Sequence, residues 1–239
     1  MVRGPSGTKS SHPRMAEHTP NPELLRSLGN LVRGLSALFW GLPLTLVVCV
    51  QTAKGDWLDR LGVMPPVGVN ALLVYGLSML LAFRPQEQLW ISSVERARIL
   101  AVVNLGLSPF LFWWSHVPGV PLYQAMSHLL MLSGLAFLFF LNMALLRLAL
   151  LVPDETLRLE TRLFTKMNRF ILAATFLLMV AYLGLGRLPT PPPEVSRLMI
   201  VVEHGGLWIL MFLILLPTAM TMALLWKTKE VIHSSVFGA

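Results

Sequence analysis

The stretch that decides the fold is residues 123–152, YQAMSHLLMLSGLAFLFFLNMALLRLALLV. Arg147 is its one fully charged side chain at neutral pH. A helix needs about 20 mostly apolar residues to cross about 30 Å of hydrocarbon. This run is longer than that, so the helix that it predicts must tilt or project beyond the bilayer.

The composition of the whole chain agrees with a membrane location. Of its 239 residues, 55% are hydrophobic and 13% are charged, which is about half the charged share of a typical globular protein. The apolar residues also cluster into runs too long for a soluble core of this size to bury. A soluble enzyme and a disordered chain are both excluded. We therefore expect an all-α integral membrane protein.

Six such runs predict six transmembrane helices. Their ranges are 35–53, 67–83, 99–115, 123–152, 168–186 and 199–226. Residues 1–20 lack apolar periodicity and predict a disordered cytoplasmic tail, and residues 227–239 predict a short cytoplasmic tail. Between the first tail and the first span, residues 21–34 have leucines at helical spacing opposite polar side chains. That pattern predicts an amphipathic helix in the membrane interface.

The basic residues set the predicted orientation. With the N-terminus inside, 15 of the 19 Lys and Arg residues fall on inner segments, as the positive-inside rule expects for six spans with both ends cytoplasmic. The outer four are Lys54, Arg60, Arg187 and Arg197. The net charge of +7 is thus explained by topology, and we expect no nucleic-acid partner. The membrane type expected is a bacterial-type inner membrane.

Two inner connectors have helical features of their own. Residues 153–167 carry Asp154 and Arg158 four positions apart, a pair that supports a helix. This segment predicts a short helix that continues the fourth span or leads the fifth, either as a solvated connector or as a docking surface for a cytoplasmic partner. Residues 85–98 predict an interfacial helix or a cytoplasmic extension of the third span.

Enzyme signatures are missing from the sequence. It has no phosphate-binding Gly-rich loop ending in Lys-Ser/Thr, no His-Glu-x-x-His, no Cys-x-x-Cys and no nucleophile elbow. Ion-coupled carriers generally need an ionisable residue within the membrane, and no mid-span position holds one. The sequence therefore favours a protein that is neither an enzyme nor an active transporter.

One candidate ligand set follows from the predicted topology. His116, His128 and His204, with Glu203, all fall near the outer face at similar depth. Imidazoles and a carboxylate can bind a transition metal such as copper, zinc or iron. Alternatively, His128 and His204 can bind a haem b iron axially. The alternative without a ligand is that these side chains are hydrated at the headgroup level.

Polar residues continue inward from two of these histidines. Asn142 follows His128 by fourteen residues, and Thr218 follows His204 by fourteen, a spacing that keeps both members of a pair near one helix face. The two stripes can line a cleft for a quinone, a haem edge or a permeating solute. Alternatively, they bond neighbouring helices.

Small residues predict close helix contacts at two places. Ser78 and Ala82 are four residues apart on the second span, and so are Ala219 and Ala223 on the sixth. Such spacing lets helices approach closely, within the bundle or with another subunit.

Three functions follow from these observations. The first is a non-catalytic accessory, assembly or anchoring subunit of a larger membrane complex, with the lipid bilayer and other membrane subunits as partners. The second is a haem- or metal-binding redox subunit that uses the outer-face histidines. The third is a passive channel or small-solute carrier along the polar stripes.

Overall fold

The protein is all helical in the part that the computed structural model describes, namely residues 22–55, 57–83, 87–151, 155–185 and 212–232. The long helices are α1 (Pro22–Lys54), α2 (Met64–Leu81), α3 (Gln88–His116), α4 (Pro121–Leu151) and α5 (Glu155–Leu185). A further helix, α6, covers residues 212–232. A single 3₁₀ turn, Asp59–Leu61, lies between α1 and α2.

Five of these helices, α1 to α5, are long and apolar enough to cross a membrane. Each of them overlaps one of the first five predicted spans, and α1, α3 and α5 begin more than ten residues before the predicted start. The sixth predicted span, 199–226, is described only from residue 212 onward, where it is helical. The predicted tail 1–20 lies outside the described residues.

The predicted interfacial helix 21–34 is not confirmed as a separate element. Residues 22–54 form one helix of 33 residues, about 50 Å long at 1.5 Å per residue. The backbone therefore does not break where the pattern changes from amphipathic to wholly apolar near residue 35. Gly34, at the predicted boundary, is helical.

The two inner connectors are likewise parts of longer helices. Residues 88–98 extend α3 at its N-terminal end, and residues 155–167 lead directly into the fifth span as the first part of α5. Both connectors are thus helical extensions of the neighbouring spans. They contain helix-forming residues, and neither has a glycine or proline after its first residues.

Leucines form the centre of the first four helices. On α1, Leu31, Leu35 and Leu38 recur at helical spacing and are almost fully buried. They belong to one apolar core with Leu77 of α2 and Leu145 of α4. Helices that are adjacent in the chain contact each other from α1 to α5, as expected for an up-and-down bundle with short connections.

The crossing of α1 and α2 is unusually close because glycines meet there. A Cβ added to Gly34 would lie 2.8 Å from the carbonyl oxygen of Gly76, and one added to Gly76 would lie 3.2 Å from the carbonyl oxygen of Gly34. Real Cβ atoms do not approach backbone at the shorter of these distances, so the two backbones touch only because both residues lack side chains.

Candidate functional site

A cluster of buried polar side chains joins α4, α5 and α6. We call it the polar joint: Asn142 of α4, Asn168 of α5, and Thr221 with the backbone carbonyl of Pro217 on α6. The three side chains are fully buried. Each comes from a different helix, and each points toward the line where the three helices meet.

Asn142 uses both of its amide hydrogens inside the protein. Its Nδ2 donates to the carbonyl oxygen of Leu138 at 2.8 Å and to Oγ1 of Thr221 at 2.9 Å. The first bond fixes the side chain against its own helix, and the second crosses to α6. Asn142 thereby orients itself as a donor toward α6 while its Oδ1 stays open to α5.

Asn168 completes the joint from α5. Its Nδ2 lies 3.1 Å from Oδ1 of Asn142, 3.0 Å from Oγ1 of Thr221 and 3.2 Å from the carbonyl oxygen of Pro217. Two amide hydrogens face three acceptors, so the amide has more acceptors in reach than it has hydrogens. The Thr221 hydroxyl donates to Pro217 at 2.7 Å and accepts from both asparagines.

Nearly all polar side-chain atoms of the polar joint have hydrogen-bond partners. Both donors of Asn142 and the hydroxyl of Thr221 have acceptors, while Oδ1 of Asn168 has no partner among the described residues. All three side chains are neutral at every accessible pH, so the joint holds helices together by hydrogen bonding and contains no acid or base for proton transfer.

Threonines extend the joint along α5 and α6. Thr161 and Thr165 of α5 and Thr228 of α6 are buried, and their hydroxyls have no partner among the described residues. Beyond them, Lys227 of α6 forms an ion pair with Glu160 of α5. The contact between α5 and α6 is therefore polar over several turns.

The sequence found part of this joint. Asn142 was predicted to face a neighbouring polar stripe on the sixth span, and it does contact α6. Its partner is Thr221, whereas the predicted residue, Thr218, bonds to the carbonyl oxygen of Ile214 in its own helix at 2.8 Å. Asn168 was missed. The signal that reveals it is the spacing of polar residues on α5, since Thr161, Thr165 and Asn168 are separated by four and then three positions.

The two described histidines of the predicted ligand set, His116 and His128, have protein neighbours. His116 is exposed at the end of α3, and its Nε2 lies 3.5 Å from Oδ2 of Asp59 in the loop after α1. Its ring stacks on Phe112 with centroids 4.1 Å apart. His128 of α4 is partly buried, with its ring centroid 6.5 Å from that of Trp114.

The structure describes two of the four residues of the predicted ligand set. His204 and Glu203 lie outside the described residues, so the set with His116 and His128 stays a prediction. Within the described part of the chain, no group of three or more His, Cys, Asp and Glu side chains could hold a metal ion. The sequence did not anticipate Asp59 as the neighbour of His116.

The small residues that were predicted to pack differ in their surroundings. Ser78 is partly buried and donates to the carbonyl oxygen of Val74 at 2.7 Å, whereas Ala82 is exposed just after α2. Ala219 and Ala223 are both exposed on α6. The close crossing within the described bundle is made by Gly34 and Gly76 instead.

The fold and site together define a class of protein, an all-α multi-pass membrane protein in which α4, α5 and α6 are joined by buried amides and hydroxyls. The sequence matches no family model, no curated protein and no solved structure. Its function must therefore be argued from its own residues.

Proposed function

We propose that the protein is a non-catalytic accessory, assembly or anchoring subunit of a larger membrane complex, and that it joins the complex through helix contacts. The observation that carries this proposal is a continuous exposed face on α6. We call it the α6 stripe: Phe212, Leu215, Ala219, Ala223 and Trp226. These positions share one helix face by their spacing of three, four, four and three residues.

The shape of the α6 stripe is the informative feature. Exposed apolar side chains are expected in a bilayer, because lipid tails are as apolar as leucine and give helices no hydrophobic reason to associate. Two alanines between Leu215 and Trp226, which are 54% and 53% exposed, leave a shallow recess between larger side chains. A helix of another subunit can approach its backbone closely there.

The buried polar side chains also support a non-catalytic role. In the described spans, Asn142, Asn168 and Thr221 bond to one another, which is the behaviour of groups that hold helices in place. The proposal includes six spans, both ends in the cytoplasm and a bacterial-type inner membrane, for which the 15 to 4 split of basic residues is the support.

Bulky replacements on the α6 stripe test the proposal. We expect Ala219→Leu and Ala223→Leu to release the protein from its complex, measured by native mass spectrometry after gentle extraction from its own membranes. Ala71→Leu on α2 is the matched control, because Ala71 is also exposed and receives the same added volume. Retention of all partners by both stripe variants would overturn the assignment of the interface.

A haem- or metal-binding redox subunit is the alternative that the histidines suggest. The same spectra test it, because an isolated chain with the extra mass of a haem or a metal ion would replace the accessory proposal. In that case His128→Ala should abolish the extra mass.

A passive channel or small-solute carrier is the third candidate, and one observation favours it. The buried hydroxyls of Thr161, Thr165 and Thr228 line the contact of α5 with α6 and have no partner among the described residues, so they are available to a polar solute. If the α5–α6 contact is a pathway, Asn142→Leu should change solute flux in proteoliposomes without changing the oligomeric state. Equal flux with and without the protein would leave the accessory proposal in place.

A further inference from the structure

A cleft between α4 and α5 brings together three arginines that the sequence places far apart. Arg147 comes from α4, and Arg162 and Arg169 come from α5. The other lining residues are apolar: Met143, Leu146, Leu150 and Leu159. The cleft has a volume of about 650 Å³. Arg162 and Arg169 are seven residues apart, two helical turns, so they lie on one face of α5.

The charge in this cleft is uncompensated within the described residues. None of the lining side chains is acidic, and Glu160 of α5 is engaged by Lys227. Arg147 and Arg169 are partly buried, and partly buried cations are stabilised by an anion beside them. The guanidinium of Arg169 is held 5.1 Å from the ring centroid of Phe139, so one of the three charges has a fixed position.

An apolar groove continues from the arginine cleft along the same two helices. It is lined by Leu135, Ala136, Phe139 and Phe140 of α4 and by Leu172, Ala173, Phe176 and Leu177 of α5. Its volume is about 360 Å³. Phe139 belongs to this groove and contacts Arg169 of the cleft, so a cationic site and an apolar site adjoin.

We propose that these two sites together bind one anionic phospholipid. The phosphate lies among Arg147, Arg162 and Arg169, and an acyl chain lies along the apolar groove past Phe139. The expected location is the inner leaflet, because Arg147 and Arg169 stand at the predicted inner ends of their spans.

The chemistry of each part selects this ligand. Guanidinium groups bind phosphate oxygens through paired, charge-assisted hydrogen bonds, and basic pockets between membrane helices suit the head groups of anionic lipids. A free phosphate ion would use the arginines but has nothing to place in the groove. A zwitterionic lipid fits the groove but brings a cation of its own to the arginines.

The first test measures lipid retention by the full chain. The protein in detergent is mixed with equal amounts of phosphatidylglycerol and phosphatidylcholine, and bound lipid is counted by native mass spectrometry. We expect retention mainly of phosphatidylglycerol. Arg162→Gln combined with Arg169→Gln should lower that retention at least about fivefold, since each surface arginine strengthens anionic-lipid binding by about that factor.

Two further variants separate this site from general surface charge. Arg98→Gln on α3 removes the same charge from an exposed position outside the cleft, and it should leave retention unchanged. Ala173→Phe fills the apolar groove from an exposed position and should lower lipid retention without removing any charge. Arg162→Gln alone serves if the double variant does not fold, because Arg162 is exposed.

Three results would overturn the proposal. The first is an equal loss of phosphatidylglycerol in Arg98→Gln, which would indicate unspecific attraction. The second is equal retention of the two lipids by the unaltered protein. The third is competition by inorganic phosphate at concentrations equal to those of the lipid together with no effect of Ala173→Phe, which would make the cleft a site for a free anion.

Discussion

One apolar core runs through all six described helices, but the two halves of the described molecule differ in the contacts that supplement it. From α1 to α4, leucines such as Leu35 and Leu77 fill the core, and glycines allow α1 and α2 to touch. From α4 to α6, amides and hydroxyls meet at the polar joint. Lipid tails are as apolar as leucine, so a leucine gains little by moving from lipid into the protein core. The stability of the leucine core therefore comes from its close shape fit. Hydrogen bonds add direction, because they are satisfied in one arrangement only. Beyond the shared apolar core, the first half thus relies on close shape fit, and the second half adds defined donor and acceptor positions.

The largest loss of stability is expected at the crossing of α1 and α2, where there is no space for a side chain. Gly34→Leu places a side chain against the carbonyl oxygen of Gly76 and should separate α1 from α2. We expect a loss of about 3 kcal/mol in unfolding free energy, at the upper end for overpacking, measured by thermal unfolding in detergent. Gly29→Leu is the control, because nothing lies within 4 Å of a Cβ added there. Equal losses in both variants would show that added side-chain bulk on α1, and not the crossing, is responsible, because leucine has a higher helix propensity than glycine.

An intermediate effect is expected in the polar joint. Asn168→Leu keeps the size of the side chain but removes the donor shared by Asn142, Thr221 and Pro217. We expect a loss of about 1–2 kcal/mol, because interhelical hydrogen bonds in membranes are worth about 0.6 kcal/mol each and rarely more than 1.7. Hydrogen exchange should rise over residues 212–232 and not over 22–54.

The matched control for Asn168 is Thr175→Val. Thr175 is also buried on α5, but its hydroxyl bonds to the carbonyl oxygen of Ile171 in its own helix. That variant should leave exchange in α6 unchanged. If hydrogen exchange in Asn168→Leu rises equally across both halves, the two halves unfold as one unit. They would then differ in their contacts but not in their stability.

The smallest effect is expected at the ion pair of Glu160 with Lys227. Both side chains are partly exposed, and exposed pairs contribute about 0–1 kcal/mol because water and salt screen them. Glu160→Gln and Lys227→Gln, alone and combined, should give a coupling energy below about 1 kcal/mol that falls as salt is added. A coupling that salt does not change would place the pair in a drier environment than its exposure implies.

Sequence reasoning recovered the features that depend on single segments. Hydropathy located five helices that are long and apolar enough to cross a membrane, because the cost of burying polar groups in lipid is a local property. The connector after α4 was predicted as a short helix that continues the fourth span or leads the fifth, and in the structure it leads the fifth. The interfacial helix predicted at residues 21–34 is not confirmed as a separate element, because one helix runs from Pro22 to Lys54.

Features that need two segments were harder to find. Asn168 stands beside Met167 and Arg169, where an asparagine is typical of the headgroup level, and its bonds to Thr221 and Pro217 depend on the register of α5 against α6. Gly34 and Gly76 have unremarkable neighbours in the sequence. Arg147 and Arg162 were each explained by topology. Their meeting in one cleft depends on how far α4 and α5 run past each other, which no single helix encodes.

The polar joint also has a consequence for how the chain is made. Membrane helices of a growing chain leave the ribosome in order, so α5 is synthesised before α6. At that moment Asn168 has Asn142 of α4 within reach but not Thr221 or Pro217, and the threonines of α5 face no partner helix. An exposed polar face is costly in lipid, so α5 is stable there only once α6 has emerged. For the proposed topology of six spans we therefore expect α5 and α6 to enter the bilayer as a pair, and truncation before α6 to expose a polar face of α5.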